Sequence, residues 1–174
     1  MSNYDECCRV SSFKTIISTI VSLLSIAVFV LILLSGPAEL TGIQAQLTEA
    51  GGTILANESN VVFDSVLNDQ SSDIDYDGVT GEFTITAPGN YYVDWWVGTD
   101  GAGPSTTVGF AIEVNGVLYS ESASPIVSGL LSGEALVTVT AVPTIVTLVN
   151  VTGEDVFVPV TSVQANIVIT QVAD

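Results

Sequence analysis

The chain has 174 residues, 48% of them hydrophobic and 12% charged, which is long enough for one domain with a real core and too apolar for disorder. Nineteen acidic residues stand against two basic ones, histidine is absent, and the net charge is −17. Both bases, Arg9 and Lys14, sit in the N-terminal arm, which excludes a basic nucleic-acid footprint, phosphate capture by side-chain cations beyond Lys14, and histidine base catalysis.

Residues 1–14 read as a polar arm carrying Cys7 and Cys8. A disulfide between neighbouring residues is strained, so the pair is a candidate for intermolecular disulfides, with free thiols or lipid attachment as the alternative. A thiolate metal site would lack further soft ligands, and no cofactor is expected.

Residues 15–35 form a hydrophobic helix. Ile16, Ile20, Leu23, Ala27, Val30 and Leu34 recur at alternating spacings of four and three, an unbroken seam compatible with trimers. Ser18, Ser22 and Ser25 fall on roughly the opposite side. At about 1.5 Å per residue the run would also just span a bilayer, with the basic arm inside and the head outside. A signal peptide is disfavoured by Asp5 and Glu6, which offset Arg9 and Lys14. The seam does not choose between lipid and a protein socket.

Residues 36–52 read as a short neck helix and glycine linker. Pro37 suits a first helical position, Gly51-Gly52 ends the element, and Leu40, Ile43 and Leu47 are spaced three and four. Three such helices would gather chains beneath a trimeric head.

From residue 53 to 174 the composition turns to Val, Ile, Thr and aromatics, with turn signals every several residues. Strand candidates are 53–57, 61–67, 73–77, 82–86, 91–99, 107–114, 117–122, 134–140, 143–152, 155–160 and 165–172. Asn115-Gly116 is the strongest hairpin signal. The strands around 134–142 and 143–151 are apolar on both faces, which predicts a core on one side and a neighbouring subunit on the other. Many short strands with regular turns imply a sandwich or jelly roll.

Phe83, Gly89, Tyr91, Val93 and Trp95 follow the order of the signature of the complement C1q and tumour necrosis factor superfamily, which this segment resembles. Phe63, Asp69 and Tyr76 upstream, and residues 113–116 and 132–140 downstream, extend the resemblance. It implies an all-β head built as a ten-strand jelly roll that forms tight homotrimers. The head is most similar to the C-terminal domains of collagen-like spore-surface glycoproteins, although no Gly-X-Y stalk is present. Here the hydrophobic helix and neck stand in its place. The resemblance implies an extracellular fibre subunit on a spore or cell surface, with itself as partner and a spore-surface anchor protein as a second. A membrane-anchored trimeric recognition module is the alternative.

Asp73, Asp75, Asp77 and Gly78 resemble the start of an EF-hand, but Thr84 takes the position of the closing glutamate, leaving weak calcium candidates in an acidic turn. No Gly-x-Ser-x-Gly elbow occurs, and no enzyme is expected. Of Trp95 and Trp96, strand alternation places one in the core or a subunit interface and the other on the opposite face. The sequons at Asn57 and Asn150 arise readily by chance.

Overall fold

The computed structural model describes residues 18–25, 41–48 and 54–172. The chain divides into two compact units, Met1–Glu39 and Leu40–Asp174.

In the first unit, residues 18–25 are α-helical and exposed. Ser25 Oγ donates to Val21 O at 2.9 Å, the back-bond of a helical serine to its i−4 carbonyl. Ile20 and Leu23 lie on this helix with their side chains open to solvent. Among the described residues, no helix is long and apolar enough to cross a membrane. Ile16, Ala27, Val30, Leu34, Leu40, Cys7 and Cys8 lie outside the described residues.

The second unit is all β. Its strands are β1 (Gly42–Leu47), β2 (Ile54–Leu55), β3 (Ser65–Asp69), β4 (Ile74–Asp77), β5 (Glu82–Ile85), β6 (Gly89–Asp100), β7 (Val108–Val114), β8 (Val117–Ser124), β9 (Ser128–Val139), β10 (Thr144–Asn150), β11 (Val156–Phe157) and β12 (Ala165–Val172). One five-stranded sheet runs β3-β1-β12-β6-β9, the other β4-β5-β10-β7-β8, and β11 pairs with β2 in a small ribbon. The named pairings are antiparallel. Strands distant in sequence, β1 with β12 and β5 with β10, lie side by side, as a jelly roll requires.

Residues 42–47 form a strand where the sequence predicts a neck helix. Ile43 and Leu47 belong to β1, not to a helix, and both are buried in the sandwich. A spacing of four places two residues on one face of a strand as well as of a helix. The residues between decide: Gln44 and Gln46 alternate with Ile43, Ala45 and Leu47, a period of two. The head therefore includes Gly42–Leu47, and a boundary at residue 53 cuts off a strand of the first sheet.

The two sheets close over one core. An aromatic cluster packs Phe63, Tyr76 and Phe83, with Tyr76 and Phe83 stacked at 4.4 Å between centroids. The Tyr76 hydroxyl donates to Phe63 O at 2.9 Å and accepts from Phe63 N at 2.7 Å. That exchange pins a strandless stretch, from Val61 to Asp64, onto β4. Tyr91 donates from its hydroxyl to Ala87 O at 2.9 Å, anchoring the turn into β6. At the β7–β8 hairpin, Asn115 and Gly116 have φ of 53° and 73°, the left-handed pair that a two-residue turn needs. Asn115 Oδ1 accepts from Ile145 N at 2.9 Å, tying the turn to β10.

The strands apolar on both faces divide into two cases. β10 is the central strand of its sheet and is buried on both faces within the single chain, down to Thr147 and Val149. β9 is an edge strand, and its outward apolar residues remain exposed.

Candidate functional site

The outward face of the first sheet is the feature that sets this head apart from a closed sandwich. Along β6, Tyr91, Val93, Trp95 and Val97 point to the core, so Tyr92, Asp94 and Trp96 point out. On β9 the outward set includes Leu130, Glu134 and Leu136. Leu136 is 58% exposed, Leu130 65% and Tyr92 39%. Cross-strand register brings Tyr92 opposite Leu136 and Thr170, Asp94 opposite Glu134 and Val168, and Trp96 opposite Ser132 and Asn166.

The face is organised by hydrogen bonds. Tyr92 donates from its hydroxyl to Glu134 Oε2 at 2.6 Å. That bond to a carboxylate is the main cause holding the Tyr92 hydroxyl above its usual range. Nearer β1, Asn166 Oδ1 accepts from Gln44 Nε2 at 2.9 Å and from Gln46 Nε2 at 3.2 Å, giving an amide cluster flat on the sheet. The free edge of β9 is capped by β8: Tyr119 donates from its hydroxyl to Leu136 O at 2.7 Å, and Ser120 Oγ donates to Glu134 O at 3.0 Å. These side chains occupy edge carbonyls that would otherwise invite another strand. What remains open is side-chain surface, suited to packing rather than strand addition.

The other candidates do not converge. Asp75 and Asp77 share the exposed face of β4, and Asp77 Oδ1 accepts from Val79 N at 2.8 Å, closing the turn. Hydrogen bonds from Val79 and Thr80 hold the Asp77 carboxyl below its usual range. Asp73 precedes the strand. Its amide donates to Ser71 Oγ, and its carbonyl accepts from Thr86. Among the described residues, no group of three or more Asp, Glu, His or Cys side chains is placed to hold a metal ion. Trp95 is core, and Trp96 is partly buried on the outward face, as alternation predicts.

An open cleft of about 390 Å³ beside β10 includes Asn57, Glu58, Asn60 and Glu113 in its lining. Another, of about 460 Å³, includes Ser59 and Asp64. Ser59 Oγ donates to Ala56 O, and Asp64 accepts from Thr48.

Asn150, a sequon by pattern, is fully buried. Its Nδ2 donates to Leu55 O, Ala56 O and Glu154 O, and its Oδ1 accepts from Thr152 N at 3.0 Å. It stitches β2, β10 and the turn before β11, and it is closed to glycan attachment. Its apolar flanks hid this role, and no periodicity marks a buried amide.

No protein-family model matches the sequence, and no curated protein does. Solved structures do match in fold. Eiger, a tumour necrosis factor from S. frugiperda, superposes with a TM-score of 0.60 at 11% identity, over 78% of this chain and 94% of that one. The globular domain of zebrafish complement 1qA gives 0.55 at 16% identity, over 75% and 94%. Murine APRIL gives 0.60 at 7% identity, over 77% and 100%. These likenesses show that the described residues of the second unit fold as a jelly roll of the tumour necrosis factor and C1q kind.

Proposed function

We propose that the protein is a structural subunit: a homotrimeric head whose N-terminal hydrophobic helix joins trimers end to end into an extracellular fibre on a spore or cell surface. The observation that carries the trimer is the outward face of β6 and β9, where Tyr92, Leu130 and Leu136 stand exposed beside Trp96 and Val168. A soluble head has little use for such a patch unless another molecule covers it. The jelly-roll likeness favours two further copies of the same chain as that cover. The end-to-end step rests on the apolar seam through Ile20 and Leu23, continued in sequence by Ile16, Ala27, Val30 and Leu34. Cys7 and Cys8 would lock contacts near the N-terminus, and a surface anchor protein would hold the fibre's base. No catalytic step is assigned.

Two substitutions in the full-length chain test the two contacts separately. Leu136→Asp places a charge in the proposed trimer face and should yield monomers by light scattering. Leu23→Asp should leave trimers intact and abolish fibres. Trimers that survive Leu136→Asp, or fibres that survive Leu23→Asp, would contradict the corresponding contact.

A further inference from the structure

Resting on the fibre reading above, we infer that the head receives the N-terminal hydrophobic segment of a second copy at the end that carries the β2–β11 ribbon, on the exposed pair Ile54 and Phe157.

The two ends of the head differ. β1 enters the sandwich at Gly42 and finishes at Leu47, which pairs with Ala165 of β12. β6 is also antiparallel to β12, so it runs the same way as β1, and it finishes at Asp100. The carbonyl of Gly101, the next residue, accepts from Phe157 N at 2.9 Å. The ribbon therefore lies at the Leu47 end. The chain arrives from the hydrophobic segment at the Gly42 end, a six-residue strand or about 20 Å away.

The ribbon turns an apolar pair outward. Ile54 and Phe157 are cross-strand partners, so their side chains leave on one face. Both are exposed, at 57% and 45%, whereas Leu55 and Val156 beside them are buried on the other face. Ile54 also lines the open cleft of about 460 Å³, together with Leu47, Leu55 and Val62. Val160, three residues beyond Phe157, is 75% exposed. Apolar surface gathered in this way calls for a cover.

The N-terminal segment of a second copy suits that cover on three grounds. Residues 26–34 are all apolar, so this stretch needs burial on every side. The segment joins its own head at the Gly42 end, so docking on the ribbon end of the next copy is a heterologous contact that does not close and propagates as a filament. Ribbon ends that met each other would stop at a pair. The third ground is charge. Arg9 and Lys14, the only cationic side chains, precede the segment. The ribbon end carries the exposed carboxylates Asp100, Glu154 and Asp155, the last of which accepts from Asn57 N at 3.0 Å. A basic arm leading an apolar segment thus matches an apolar surface edged by carboxylates.

The test uses two full-length variants, each prepared as trimers before mixing. The Ile54→Asp, Phe157→Asp double variant should keep its trimers, because both side chains are exposed, and should lose its fibres. It can offer an N-terminal segment but not receive one. Leu23→Asp has the opposite defect. Neither variant alone should grow beyond trimers by light scattering, and the mixture should give pairs of trimers that grow no further. Val160→Asp, at a still more exposed position, should behave as the double variant does and replaces it if the double variant fails to form trimers. Fibres from the double variant or its replacement, or no pairing in the mixture, would overturn the ribbon end as the receiving surface and leave the fibre reading standing. Pairs formed by Leu23→Asp alone would mean that ribbon ends meet each other, and would overturn it as well. No fibres from the unsubstituted chain would overturn the fibre reading itself.

Discussion

A Cβ on Gly133 would stand 2.5 Å from Cζ2 of Trp95, its cross-strand partner between β9 and β6. The indole lies where a side chain at position 133 would otherwise point, and its other side packs near Phe110 at 6.2 Å between centroids. Backbone and indole are so close that the only residue that fits is the one without a side chain. Gly133→Ala should therefore overpack the core and lower stability by about 1–3 kcal/mol, read as a fall in Tm. An unchanged Tm would show that the sheets relax around the methyl group.

Asn150 satisfies three carbonyls and one amide from the interior of the head. Asn150→Ala leaves those groups without their partner, and each buried orphan costs about 1–3 kcal/mol. The loss should be among the largest of any single polar substitution in this chain. Chemical denaturation of the variant checks it, and a loss under about 1 kcal/mol, the net worth of one hydrogen bond, would mean that water replaces the amide.

Tyr76 couples burial to pH. Its hydroxyl is held above the ordinary value of 10.0, chiefly by desolvation. A raised value in the folded state means that unfolded chains ionise first as pH climbs. The stability contributed by Tyr76 is complete below pH 10 and declines above it, until the folded-state value is passed. Tyr76→Phe also removes both bonds to Phe63, so it should lower stability at pH 7 and flatten the alkaline decline. Melting curves from pH 8 to pH 11 for both proteins check the sign. A steeper decline in the variant would contradict it.

The chain carries a net charge of −17, so copies repel over distances that salt controls. The screening length is about 30 Å at 0.01 M salt and about 8 Å at 0.15 M. Assembly should weaken as salt is withdrawn. Assembly unchanged across a salt series would show that the facing charges are compensated in some other way.

The sequence carried most of the head. Alternation in β5, β6 and β12 exposed their inner faces, and Asn115-Gly116 located the hairpin between β7 and β8. Phe83, Tyr91, Val93 and Trp95, which carry the resemblance, are buried core positions. β1 was misread because a spacing of four is common to helix and strand, and Pro37 and Gly51-Gly52 framed the segment as a helix would be framed. β9 was cut short because Ser128, Gly129, Ser132 and Gly133 look like a turn, although Gly133 is there to admit Trp95. The outward face was legible only in part. Its apolar strand could be seen, but the meeting of Asp94 with Glu134 depends on register across forty positions of chain, which local pattern does not encode.

The most direct test of the whole account is negative-stain microscopy of the full-length protein, purified without detergent, beside a chain that starts at Pro37 and so keeps the unit Leu40–Asp174. The account predicts long regular fibres from the full-length protein and isolated trimers from the shorter one. Irregular rosettes that disperse into single trimers in detergent would contradict it and would place the N-terminal helix in lipid.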